Sequence, residues 1–217
     1  MFEGNIKLGG GRLHCMLFNE DGTIYAGHTC GGNSTKDWTI LTKLDVNPIK
    51  PKPKPQKLLS VIDPRIVNAG SWIGCIQYIE IQEMEKLLFV FQNQAWVLNL
   101  NSGSIVQSSA CQNFASVQLA IKHTDSIQGL NSTGVLSNDK KYLAKGIRQP
   151  GTENYSFYPT KHMGWLQIKE VATNQVVFEE KITEDHHFGT IAFHSADHSY
   201  IALASGRSSD LWMKKWK

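Results

Sequence analysis

The chain has 217 residues, 41% of them hydrophobic and 19% charged, with a formal net charge of +3. This is enough apolar material for a packed core and too little charge for a disordered chain, so one domain over residues 1–217 is expected. The positive charge is scattered rather than gathered in a block, which does not argue for nucleic acid. The longest apolar stretch, Leu87 to Phe91, is far shorter than the roughly 18 residues a membrane helix needs.

The opening residues, Met1-Phe2-Glu3-Gly4-Asn5, have neither the basic nor the apolar region of a secretory signal, which points to a cytoplasmic or nuclear protein. Asn5-Ile6-Lys7-Leu8 is a short β-like stretch followed by the flexible Gly9-Gly10-Gly11. A unit then recurs four times: two β-rich runs, the first hairpin often turning at Asn, Asp or Gly, then a run that opens with Trp. The first copy is Leu13 to Phe18, a turn at Asn19-Glu20-Asp21-Gly22, Thr23 to Gly27, and Trp38 to Asp45, with a further strand at Leu58 to Ile62. Between these last two, Asn47 to Gln56 alternates Pro and Lys, which excludes helix and predicts an extended, solvated arm. The second copy runs Ile73 to Ile81, Lys86 to Phe91, Ala95 to Leu100 and Ser104 to Gln107. The segment Ala110 to Thr133 holds one candidate strand, Val117 to Ile121. The third copy spans Gly134 to Ala144, Trp165 to Val171 and Gln175 to Ile182. The fourth spans Gly189 to Ser205 and Asp210 to Trp216, and lacks a fourth strand.

In the last copy, Phe193 to Ser205 followed by Leu211-Trp212 resembles a WD40 repeat: an apolar strand, an Asp-containing turn, a second strand, then a Trp-bearing third strand. The resemblance implies an all-β fold, a small β-propeller of four, or five, four-stranded blades. It also implies closure by the N-terminal strand, with Asn5-Ile6-Lys7-Leu8 completing the last blade. The chain departs from the pattern in lacking the Trp-Asp dipeptide, in placing Gly-His only at Gly27-His28, and in spacing Trp38, Trp96, Trp165 and Trp212 more widely than the roughly 40–45 residues of a typical repeat. A β-sandwich fits the strand spacing too, but does not explain an N-terminal strand matched to an incomplete final unit.

If the strands of each blade are named a to d outward, the b–c and d–a connections share one face. The long segments His28 to Asp37, Asp63 to Ser71, Ser108 to Thr133, Ile147 to Gly164 and Thr183 to Phe188 all fall there, which makes it the expected binding face. Its candidate contact residues are Asp37, Arg65, Arg148, Tyr155, Phe157, Tyr158, His162, Asp185 and His187. The insertion from Arg148 to His162 combines aromatics with arginine, as interface cores do; the alternative is that Tyr155, Phe157 and Tyr158 fold back onto the blade.

Chemistry leaves few marks. There is no Gly-x-Ser-x-Gly, no His-Glu-x-x-His and no phosphate loop. The cysteines at 15, 30, 75 and 111 form no Cys-x-x-Cys pair, and His186-His187 should lie a strand length from His194 and His198, so neither a metal nor another cofactor is expected. The sequence therefore points to a non-catalytic protein–protein interaction module, a WD40-like scaffold, adaptor or subunit of a complex that binds a protein or peptide through its long-loop face. Two alternatives stand beside it: a dedicated inhibitor such as a toxin-neutralising immunity protein, and a small propeller enzyme of hydrolase or lyase type with its site in the channel.

Overall fold

A computed structural model describes residues 1–9, 11–30, 39–48, 51–60, 63, 66, 74–82, 85–91, 94–108, 134–147, 164–183, 188–205 and 208–217. All regular structure among them is strand, sixteen in number, and no helix occurs among the described residues. After β1 (Gly4–Lys7), the strands fall into four antiparallel groups in chain order. The first sheet holds β2 (Leu13–Phe18), β3 (Thr23–Cys30), β4 (Thr39–Asp45) and β5 (Gln56–Ser60). The second holds β6 (Gly74–Gln82), β7 (Lys86–Phe91), β8 (Gln94–Asn99) and β9 (Ile105–Gln107). The third holds β10 (Val135–Leu136), β11 (Tyr142–Ile147), β12 (Gly164–Glu170) and β13 (Val176–Thr183). The fourth holds β14 (Phe188–Phe193), β15 (Tyr200–Ser205) and β16 (Asp210–Lys215), and its outer strand is β1, which pairs with β16 from Gly4↔Met213 to Lys7↔Asp210. Four four-stranded antiparallel sheets are what a small propeller requires.

Three of the hairpins between the first two strands of a sheet, in the first, third and fourth sheets, share a turn chemistry. The Asp21 carboxylate accepts the Thr23 amide at 2.8 Å, Asp139 accepts that of Lys141 at 3.1 Å, and Asp197 accepts that of Ser199 at 3.0 Å. Each is an Asx turn, in which a short carboxylate satisfies an amide two residues on and turns the chain. The backbone just before the second strand is left-handed at Gly22 (φ 77°), Glu85 (φ 70°) and Lys140 (φ 58°), so three of the four hairpins demand this conformation and glycine supplies it once.

Side chains of one strand alternate between faces, and the cores follow that alternation. In the fourth sheet Ala192, Ala202, Ala204, Leu211 and Met213 join Ile6 and Leu8 against Phe18, Ile24, Ala26 and Leu44 of the first sheet. The intervening residues Ile191, Phe193, Ile201 and Leu203 pack with Ala144, Leu166 and Ile168 of the third. The first sheet turns Tyr25, Leu41 and Leu59 the other way, onto Ile76, Leu87, Phe89, Trp96 and Leu98 of the second. Three cores thus lie between successive sheets in the order third, fourth, first, second, and the inner strands β10, β14, β2 and β6 touch in that same order. Each fully buried aliphatic or aromatic side chain contributes about 1.5–3 kcal/mol, so these seams hold the sheets together.

The first and second sheets meet most closely. The end of β3 leaves its own sheet to pair with β6 at Thr29↔Cys75 and Cys30↔Gly74. Beside this junction Gly27 faces Ile76, and the Cys15 thiol donates to the Ile76 carbonyl at 3.1 Å. The Pro-Lys arm differs from expectation: Lys52 and Lys54 are exposed but Pro53 is buried, because the extended chain alternates faces and lays one ring on the protein. β5 accordingly begins at Gln56, two residues earlier than the apolar run at Leu58 predicts. The candidate strand Val117 to Ile121 lies outside the described residues.

Candidate functional site

All nine residues that the sequence nominates for binding, Asp37, Arg65, Arg148, Tyr155, Phe157, Tyr158, His162, Asp185 and His187, lie outside the described residues. What the structure fixes is where their segments attach. In the third sheet Ile147 is paired with Trp165 and Gly164 with Thr183, so the connections carrying Arg148 to His162 and Asp185 to His187 leave from one end of the sheet. In the first sheet Thr39 is paired with Ser60, which puts the segments of Asp37 and Arg65 at one end as well.

Two described groups stand at these ends. His28, on β3, is fully buried: its Nδ1 lies 3.2 Å from the Gly11 carbonyl and its Nε2 2.8 Å from the Thr42 hydroxyl. A carbonyl can only accept, so Nδ1 carries the proton and Nε2 accepts from Thr42. Burial pushes the His28 pKa down, opposed by the bond to Gly11, so the ring is kept neutral as a strut between β3, β4 and the glycine run. Trp165 is the second residue of β12, and its indole N–H is buried with no hydrogen-bond partner among the described residues, as is that of Trp96 near the start of β8. A buried donor left unpaired costs about 1–3 kcal/mol.

The opposite ends, where the Asp turns lie, form a connected polar belt. The Ser195 amide donates to the Phe18 carbonyl at 3.1 Å, and the Asn138 side chain donates to the Ser195 carbonyl at 2.9 Å. The first-strand turns of the first, fourth and third sheets are therefore tied in sequence. His194 sits at the centre, with its Nδ1 accepting the Asp197 amide at 2.7 Å and its ring edge-on to Phe18 at 4.7 Å. Burial lowers the His194 pKa against the opposing pull of the Asp197 charge and the Glu20 backbone, so this ring also works as the neutral form.

His198 spans the fourth and third sheets: its Nδ1 is 3.4 Å from an Asp139 oxygen, while its Nε2 is buried and unpartnered among the described residues. The Ser137 hydroxyl donates to the other Asp139 oxygen at 2.6 Å, and this bond, more than the nearby His198 and Lys141 charges, holds the Asp139 carboxyl down to about 2. Serine, aspartate and histidine thus meet here, but in the wrong order for nucleophilic catalysis. The hydroxyl is bonded to the carboxylate instead of the imidazole, so the imidazole is not placed to activate it and the carboxylate, held down to about 2, is too weak a base to do so. The group acts as a clasp between two turns.

Among the described residues no three His, Cys, Asp or Glu side chains converge as a metal site. The sequence shows the three turn aspartates but not Asn138 and His198, whose role depends on two turns 57 residues apart meeting in space.

No protein-family model and no curated protein sequence matches the chain. Among solved structures it is similar to the β-propeller domain of Cps50 (Swd1) from Myceliophteria thermophila, at 8% identity over 97% of this chain and 98% of that one, with a TM-score of 0.33. It is also similar to Porphyromonas gingivalis dipeptidyl peptidase 4, at 13% identity over 84% of this chain and 27% of that one, TM-score 0.23. A third similarity is to the AfRom2 CNH domain, at 11% identity over 96% of this chain and 62% of that one, TM-score 0.23. Superpositions this loose transfer neither topology nor function, and the fold rests on the chain's own strand pairing.

Proposed function

We propose that this chain is a WD40-like, non-catalytic protein-interaction module that closes its four sheets into a ring and binds a protein or peptide through the b–c and d–a connections. The observation that carries the binding face is the strand pairing: it gathers the attachment points of the candidate segments at common sheet ends, away from the Asp-turn belt. Closure needs one further seam, between the second sheet and the third. Leu88, Val90 and Ala95 are buried on the face of the second sheet that takes no part in the three described cores. The matching face of the third sheet carries Leu136, Leu143 and Trp165 beside Lys145, Gln167 and Lys169, with Leu136 49% exposed. Bringing these faces together completes the ring and gives Leu136 an apolar partner.

The test is affinity capture from the native lysate at physiological salt, comparing the intact protein with a variant carrying Arg148→Ala, Tyr155→Ala, Phe157→Ala and Tyr158→Ala that keeps the parent's circular dichroism. One stoichiometric protein retained by the parent and lost by the variant is the expected result. Equal retention by both, or none by either, contradicts the proposed face.

A further inference from the structure

Trp216 follows β16 and is held on three sides. Its indole N–H donates to the His198 carbonyl, its ring meets Tyr142 edge-on at 4.9 Å between centroids, and Phe178 lies 6.3 Å away. It belongs to the core between the third and fourth sheets and is only 8% exposed, so its orientation is fixed by packing as well as by the bond. Tyr142 begins β11 and is half-buried beside it. Over these two rings sits an ammonium: Lys217 Nζ is 4.3 Å from the Tyr142 centroid and 5.0 Å from that of Trp216. Both distances are inside the roughly 6 Å at which the negative ring face attracts a cation. Among the described residues no side-chain carboxylate forms an ion pair with Lys217, so the rings are its partners.

We propose that the Tyr142–Trp216 ring pair is an alkylammonium-binding site, occupied in this structure by Lys217 and available to the ammonium group of a ligand when Lys217 is displaced. The rings are preorganised, because Trp216 cannot turn without breaking its bond to His198 and leaving the core, so a ligand has no ordering cost to meet there. Selectivity follows from charge. The ring faces attract a cation but offer nothing to an anion. The exposed Lys217 is tethered to the adjacent Trp216 and competes at a high effective concentration, which keeps external cations weak until it is removed. The site lies at the Asp-turn ends of the sheets and stands independently of the binding face proposed above.

The experiment uses the full chain and its Lys217→Ala variant, following the Trp216 indole and Tyr142 ring signals by NMR during titration with tetramethylammonium chloride. Nα-acetyl-lysinamide is a second cationic probe, and neopentyl alcohol is a neutral probe of similar shape. The variant should show saturable shifts with tetramethylammonium and bind it about two- to fivefold more tightly than the parent, as expected for release of an exposed cation–π competitor. Neopentyl alcohol should not reproduce the shifts, and whichever cationic probe binds more tightly assigns the site to quaternary ammonium or to lysine. Adding Tyr142→Phe should preserve binding and Tyr142→Leu should abolish it. If Tyr142→Leu fails to fold, the comparison of charged and neutral probes decides alone. Shifts that do not saturate, that the neutral alcohol matches, or that are no stronger in the variant than in the parent overturn the proposal.

Discussion

A methyl group added at Gly27 strikes the seam between the first and second sheets. The new Cβ would lie 2.6 Å from the Ile76 Cβ and 2.7 Å from the Cys15 sulfur, about 1 Å inside ordinary carbon contact. Ile76 is fully buried and its Cβ is tied directly to the backbone of β6, so relief requires the two sheets to separate. Overpacking of this kind costs about 1–3 kcal/mol. For a chain of this size each kcal/mol lowers the melting temperature by about 2–4 °C, which predicts a fall of about 2–12 °C for Gly27→Ala in thermal denaturation followed by circular dichroism. Cys15→Ala removes one of the crowding atoms, so Gly27→Ala should cost at least about 0.5 kcal/mol less in that background. Unchanged melting, or an identical cost in both backgrounds, would refute the close approach of the two sheets.

Acid should weaken the fold in two steps. His28 and His194 both have pKa values lowered in the folded protein, chiefly by burial, so their contribution is complete above about pH 6.5 and is lost as pH falls through their folded values. Asp139 and Asp197 are lowered mainly by hydroxyl hydrogen bonds, so what they contribute is present above about pH 4 and disappears below it. Urea midpoints should therefore fall between pH 7.5 and 5.5 and again toward pH 3; a flat profile over the first interval contradicts the buried neutral histidines. At the hairpins, Glu85→Gly and Lys140→Gly should each stabilise by a few tenths to about 1 kcal/mol, since glycine takes the left-handed backbone without strain. A loss of stability from both would show that those side chains contribute more than the backbone strain takes away.

The strands were legible because their signals are local. Leu87-Leu88-Phe89-Val90-Phe91 is one apolar run, and it becomes β7 with alternate residues buried in opposite faces. Asp21, Asp139 and Asp197 mark turns whose hydrogen bonds span two residues, within reach of a sequence pattern. The match between Asn5-Ile6-Lys7-Leu8 and the unfinished last unit anticipated the pairing of β1 with β16. What escaped is long-range. Nothing in the apolar pattern shows Pro53 buried, the end of β3 crossing to β6, or His198 meeting Asp139, because each depends on how two sheets approach. The candidate binding residues were chosen from composition and loop length, signals that say a segment is suited to contact without fixing its geometry.

Truncation of residues 1–8 tests the architecture most directly. β1 supplies four paired positions to β16, and Ile6 and Leu8 are 2% and 4% exposed in the core between the fourth and first sheets. Losing two such side chains removes about 2–5 kcal/mol each, a large part of the 5–15 kcal/mol that holds a typical domain together. The truncated chain should melt far below the full one, or fail to fold, and a synthetic peptide of residues 1–9 should restore part of the loss. Melting identical to that of the full chain would contradict the account, because the fourth sheet would then stand without its outer strand.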